Sequence, residues 1–142
     1  MPTRTARTAW NGTLQEGSGQ VELSSSKVGT FDVSFPKRTA DEAGGTTSPE
    51  ELIAAAHSAC FSMALSSEVA KAGGTPQAFE VSADVTLDAG SITKIHLTVR
   101  GEVDGLDADG FEKAAQAAKA GCPVSKALAG VGEITLDATL EN

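Results

Sequence analysis

Two cysteines, Cys60 and Cys122, are the side chains in this 142-residue chain with the widest chemical range. A free thiol is either a small buried apolar group or, once ionised, a nucleophile. Cys60 lies in His57-Ser58-Ala59-Cys60-Phe61-Ser62-Met63, and composition alone reads it as an inert packed thiol. Cys122 directly precedes Pro123, so it falls at the N-cap of a short helix, where backbone N–H groups favour a thiolate. A thiol that reduces peroxide must be a thiolate at neutral pH and then needs a second thiol to resolve its sulfenic acid. Stabilising that thiolate requires a permanent cation, and fixing the cation requires a carboxylate. Of Arg4, Arg7, Arg38 and Arg100, only Arg38 sits in the loop that leads into the Cys60 segment, and Glu50 follows at its start. The residues alone account for these two equally well as a solvated loop charge and a helix-dipole partner. His57 shares a helix face with Cys60. A hydrolase-like Cys–His pair is conceivable there, but no orienting Asn or Asp is evident and a core or interface histidine is the simpler account. His96 has apolar strand neighbours and is given no role.

Composition narrows the classes of function. Lys and Arg total 11 against 19 for Asp and Glu, a net charge of −8. Such a balance argues against nucleic acid, which needs a basic footprint, and against an anionic membrane surface. Only 4% of residues are aromatic and Tyr is absent, so base stacking is not expected. The first ten residues carry no apolar export segment. The most apolar run, Leu52 to Ala72, is broken by His57, serines, Glu68 and Lys71, and is read as no membrane span. A cytoplasmic location follows by default, and in that reducing compartment a permanent disulfide is not expected. Two thiols and two histidines make no zinc site, and neither metal nor cofactor is expected.

The elements that must position these residues are legible in outline. Arg4 to Trp10, a run from Thr13, Gln20 to Ser24 and Thr30 to Phe35 alternate like strands, with Asn11-Gly12 as a turn and Phe31, Val33 and Phe35 on one face. Pro36 to Thr47 reads as a polar loop. Ser48-Pro49-Glu50-Glu51 is a helix start with a capping box, and Gly73-Gly74 ends that helix near Ala72. Small, uncharged residues from Leu52 to Ser67 predict a central helix enclosed by protein. Phe79 to Asp88 and Ile92 to Val103 form a hairpin around Ala89-Gly90. Asp107 to Ala120 is an amphipathic helix, Pro123 to Ala129 a further helical piece, and Glu133 to Leu140 a closing strand. The expected fold is α+β, with helices on antiparallel sheets and one domain over residues 1–142.

The string Ser48-Pro49-Glu50-Glu51-Leu52-Ile53-Ala54-Ala55-Ala56-His57-Ser58-Ala59-Cys60-Phe61-Ser62-Met63-Ala64-Leu65 resembles the helix of the OsmC/Ohr family of bacterial hydroperoxide-resistance proteins. Ala120-Gly121-Cys122-Pro123-Val124-Ser125 is similar to the family's second cysteine motif. Glu133 to Asp137 and the Ala83–Ile95 hairpin also fit, and His57 points to the OsmC branch. The resemblance implies an OsmC-like fold built as an intertwined homodimer, and a cofactor-free peroxidase that reduces organic hydroperoxides to alcohols. It implies Cys60 as the peroxidatic thiol, Cys122 as the resolving thiol that closes a disulfide with it, and Arg38 with Glu50 as the thiolate-stabilising pair. A dithiol donor such as a lipoylated protein would reduce that disulfide. The loop from Arg38 to Glu50 is somewhat longer than the family pattern, with Arg4 and Arg7 as the next cations in line.

Two rivals belong to other classes. One is a non-catalytic dimer holding a lipid or small ligand in the cleft around Cys60. The other is a thiol-disulfide oxidoreductase, weakened by the absence of Cys-x-x-Cys. Helix geometry adds one expectation. Glu50 and Cys60 are ten residues apart on one predicted helix, about 15 Å along its axis, so they cannot meet within a chain. If Glu50 holds the stabilising Arg, the site combines Cys60 of one chain with Glu50 and Arg38 of its partner.

Overall fold

A computed structural model describes residues 1–142. The chain falls into two compact units, Met1–Leu52 and Ile53–Asn142.

In the first unit, β1 (Arg7–Asn11), β2 (Ser18–Glu22) and β3 (Thr30–Val33) form an antiparallel meander. The predicted run from Thr13 is a turn, closed by the Gly17 N–H to the Thr13 carbonyl. Phe35 does not extend the β3 face. It opens a short helix, α1 (Phe35–Arg38), inside the stretch expected to be loop. The reason is local. Ser34 is extended and its hydroxyl accepts the Lys37 N–H, while Pro36 presets the first turn. The next helix, α2 (Pro49–Lys71), starts as its sequence dictates. Ser48 Oγ accepts the Glu51 N–H at 3.1 Å, but the Glu51 carboxylate takes the Thr47 hydroxyl at 2.5 Å instead of closing the box on Ser48.

In the second unit, β4 (Thr75–Asp88) and β5 (Ser91–Asp104) form a long hairpin, several residues longer at its open end than the alternation indicated. Its two-residue turn places Ala89 at φ 50° and Gly90 at φ 81°, the left-handed pair that a tight hairpin requires. Helix α3 (Ala108–Gly121) follows, capped by Asp107 on the Gly110 N–H, then α4 (Pro123–Ala127) and β6 (Glu133–Leu140). β6 pairs with β5 in parallel, from Lys94↔Glu133 to Gly101↔Leu140. The sheet is therefore mixed, where an antiparallel one was expected. The α3–α4 crossover returns the chain to the same end of β5, and such a connection is what parallel pairing needs.

The core of this unit is a meeting of periodicities. Phe61, Leu65 and Val69 recur every four residues along α2, and Leu97, Val99 and Val103 keep the odd positions of β5. Phe111, Ala114, Ala115 and Ala118 of α3 complete it. Away from that face α2 is open, with Met63 73% exposed. Enclosure of this helix, expected from its small residues, is not achieved within one chain. By length and composition α2 would also suffice to cross a membrane, contrary to the sequence reading. Its fully buried Phe61, Leu65 and Val69 account for it as a core helix.

Candidate active site

Cys60 projects from the middle of α2, and Cys122 occupies the single-residue junction between α3 and α4. Although 62 residues apart in sequence, their sulfurs lie 2.9 Å from each other, and both thiols are free. That spacing is a hydrogen-bonded pair, well outside the roughly 2.05 Å of a disulfide. The core explains the meeting. Phe61, next to Cys60, and Ala118, one turn before Cys122, are fully buried in the same cluster.

The two sulfurs have different surroundings. Burial pushes the Cys60 thiol up, and its neighbour Cys122 pushes it further. Burial opposes ionisation of Cys122 as well, but the neighbouring Cys60 thiol and the polar groups at the start of α4 outweigh it and hold that thiol down. The two thiols thus shift in opposite directions, Cys60 up and Cys122 down.

In the first unit, Arg38 and Glu50 form an ion pair. Arg38 Nη2 and Nε donate to Glu50 Oε1 at 2.7 and 2.9 Å, and Nε also reaches Oε2 at 3.2 Å. The carboxylate bond, strengthened by its charge, raises the Arg38 pKa above its already high ordinary value. Glu50 is buried while the Arg38 side chain stays one-third exposed, so one face of the guanidinium is free to act. Arg38 also borders an apolar cavity of about 290 Å³ with Trp10, Leu14, Val33, Phe35 and Pro49.

The structure brings in one residue to which the sequence reading assigned nothing. Ser125 Oγ lies 2.7 Å from His57 Nε2, and both side chains are buried. Ser125 sits three residues after Cys122, one turn into α4, and that spacing was the signal available. His57 is no partner to Cys60; it turns toward Ser125, and burial keeps its pKa below the ordinary value. His96, given no role, bridges β5 to β6 through Thr135 at 2.5 Å and Asp137 at 3.1 Å. No cluster of three His, Cys, Asp or Glu is placed to hold a metal.

Residues 41–137 match the family model described as OsmC-like protein. Over 137 residues the chain is 47% identical to Peroxiredoxin OsmC of Escherichia coli (strain K12), which covers 94% of this chain and 93% of that protein. It is 36% identical over 121 residues to organic hydroperoxide resistance protein OhrA of Bacillus subtilis (strain 168), covering 81% and 84% respectively. Among solved structures, organic hydroperoxide resistance protein OhrB of Bacillus subtilis superposes with a TM-score of 0.65 at 27% identity, over 96% of this chain and 98% of that one. An OsmC structure from Legionella pneumophila superposes at 0.71 and 24% identity, over 100% and 98%, a likeness of fold.

Proposed function

The chain belongs to the OsmC-like protein family, and from that membership we infer that it is a cysteine-based peroxidase that reduces organic hydroperoxides to alcohols. The observation that carries the reading is the 2.9 Å approach of Cys60 and Cys122, two free thiols placed for one to resolve the other.

The chemistry proceeds in three steps. The Cys60 thiolate attacks the terminal peroxide oxygen, an S–O bond forms, the O–O bond breaks, and the departing alkoxide takes a proton to become the alcohol. Cys60 is then a sulfenic acid. The Cys122 thiolate attacks the Cys60 sulfur, the S–S bond forms, the S–O bond breaks, and hydroxide leaves to be protonated to water. A dithiol donor, a lipoylated protein being one candidate class, returns two electrons and two protons and becomes a disulfide itself. Arg38, held by Glu50, supplies the positive charge that Cys60 otherwise lacks. The apolar cavity beside Arg38 suits the hydrocarbon part of an organic peroxide better than hydrogen peroxide.

The protein works in this reading as a cytoplasmic homodimer, with residues 1–142 as one OsmC-like domain. The largely uncovered α2, with exposed Met63, supports a partner chain. Because α2 is unbroken from Pro49 to Lys71, Glu50 serves the Cys60 of that partner. The direct experiment adds tert-butyl hydroperoxide to the reduced protein without a reductant and counts thiols before and after. Expected is one peroxide consumed per chain with loss of both thiols; unchanged thiols and unconsumed peroxide would sink the reading.

A further inference from the structure

Strand β1 and the turn after it carry two large apolar side chains that the core does not use. Trp10 is 42% and Leu14 57% exposed. Both border the apolar cavity of about 290 Å³ beside Arg38, which lies wholly within the first unit. Each is held in place. Trp10 stands opposite Gly19 of β2, and a Cβ at Gly19 would lie 3.0 Å from the indole. The ring thus takes the space that a side chain there would fill. Its one polar atom is satisfied within the turn, since Nε1–H donates to the Gly12 carbonyl at 2.9 Å. Leu14 is held by backbone instead of packing. Thr13 Oγ1 accepts the Glu16 N–H at 3.1 Å, and the Thr13 carbonyl accepts the Gly17 N–H at 2.8 Å. With Val33 and Phe35 these two residues make the cavity apolar, and Arg38 is its charged member.

We propose that Trp10 and Leu14 are specificity-determining residues: they wall a subsite for one compact hydrocarbon group, a single aromatic ring with its methyl substituents, on the hydroperoxide that Arg38 receives. The proposal rests on the peroxidase reading and deepens it by naming the part of the substrate that is bound. Size sets the class. The cavity stands at the lower end of the roughly 300–1,000 Å³ typical of small-molecule sites. A ring seated there loses water from its apolar surface, and side chains already fixed by the turn add little ordering cost. Hydrogen peroxide carries no such group and gains nothing from either residue. Neither side chain offers a polar atom to the reacting oxygens, so both act on binding, and their loss appears in KM before kcat. A leucine exposed only because the turn needs a residue would leave the choice of peroxide unaffected.

The test compares cumene hydroperoxide with hydrogen peroxide in steady-state turnover, with dithiothreitol as reductant. Leu14→Ala is expected to lower the ratio of kcat/KM for cumene hydroperoxide to that for hydrogen peroxide about tenfold, the scale of lost methylenes in an apolar pocket. The loss is carried by KM. Leu14→Met, which conserves volume, keeps the ratio near wild type. Trp10→Ala lowers it further, and Leu14, on an exposed turn, still decides the matter where Trp10→Ala fails to fold. A second readout does not depend on turnover. Trp10 is the only tryptophan in the chain. Its fluorescence is expected to change saturably with 2-phenyl-2-propanol, the alcohol left by cumene hydroperoxide, and Leu14→Ala weakens that binding about tenfold. An unchanged ratio in Leu14→Ala would overturn the proposal. So would fluorescence indifferent to the alcohol, the result expected where a partner chain fills the cavity. A wild type that consumes neither peroxide would overturn the peroxidase reading instead, and this one with it.

Discussion

Arg38 holds Glu50 through a two-nitrogen fork, Nη2 and Nε at 2.7 and 2.9 Å from one carboxylate oxygen, and the carboxylate end is buried while the guanidinium reaches solvent. Such a geometry fixes the cation without neutralising its outer face. Arg38→Ala is therefore expected to raise the Cys60 thiol pKa and slow peroxide attack by about tenfold or more, since one pKa unit is a tenfold change in thiolate. It also strands a buried carboxylate, at a stability cost of about 1–2 kcal/mol. Arg38→Lys should restore the rate only in part, because a point charge cannot reproduce the fork. The pH profile of Cys60 alkylation decides, and an unchanged profile would move the role to Arg4 or Arg7.

In the proposed mechanism the two thiols divide the labour. Cys60→Ser should abolish peroxide reduction. Cys122→Ser should consume one equivalent and stop at the sulfenic acid. Peptide mass spectrometry of oxidised wild type should find the Cys60–Cys122 bond within one chain, as the 2.9 Å approach requires. Equal residual activity in the two variants would contradict the assignment.

Acid should weaken the fold through His57. Its folded pKa is lowered by burial, so between that value and the unfolded value near 6.5 the unfolded chain binds more protons. The stability this group contributes is complete above about pH 6.5 and is lost as the pH falls from there toward the folded pKa. Urea titrations at pH 7.5 and 5.5 should show a larger drop for wild type than for His57→Gln. Identical drops would mean that His57 protonates without penalty.

A packing prediction concerns Gly101, where β5 passes beneath two aromatic rings. A Cβ there would come within 2.7 Å of Phe111 and 3.0 Å of Phe79, whose ring centroids are 6.3 Å apart. Gly101→Ala should cost about 1–3 kcal/mol by overpacking, while Phe111→Ala, emptying a fully buried site, should cost about 3–5 kcal/mol. Chemical denaturation measures both, and a neutral Gly101→Ala would show that the rings can move aside.

A site shared between chains is testable by mixing. Inactive Cys60→Ser and impaired Glu50→Ala should, after subunit exchange, form heterodimers containing one wholly wild-type site. Activity should rise above that of either parent. No gain after verified exchange would return Glu50 and Cys60 to the same chain.

The sequence by itself determined most of the local structure. Ser48, Pro49 and the acidic pair behind them started α2, Gly73-Gly74 ended it, Asp107 capped α3, and alternation marked β4, β5 and β6, because caps, breakers and periodicity act over a few residues. It also offered Cys60, Cys122, Arg38 and Glu50 as candidates, since a thiol, a permanent cation and a carboxylate are recognisable by type, while the roles proposed for them came from the family resemblance. Short-range signals misjudged α1, because a polar, Gly-containing stretch hid the Ser34–Pro36 start within it. They also could not give the direction of β6, which depends on where the α3–α4 crossover docks and leaves no mark on the strand itself. Only the tertiary structure decided that two sulfurs 62 residues apart lie 2.9 Å from each other, and that His57 turns to Ser125 rather than to Cys60. Contacts of that length are set by how helices pack on a sheet, and packing is a property of the whole core that no window of sequence contains.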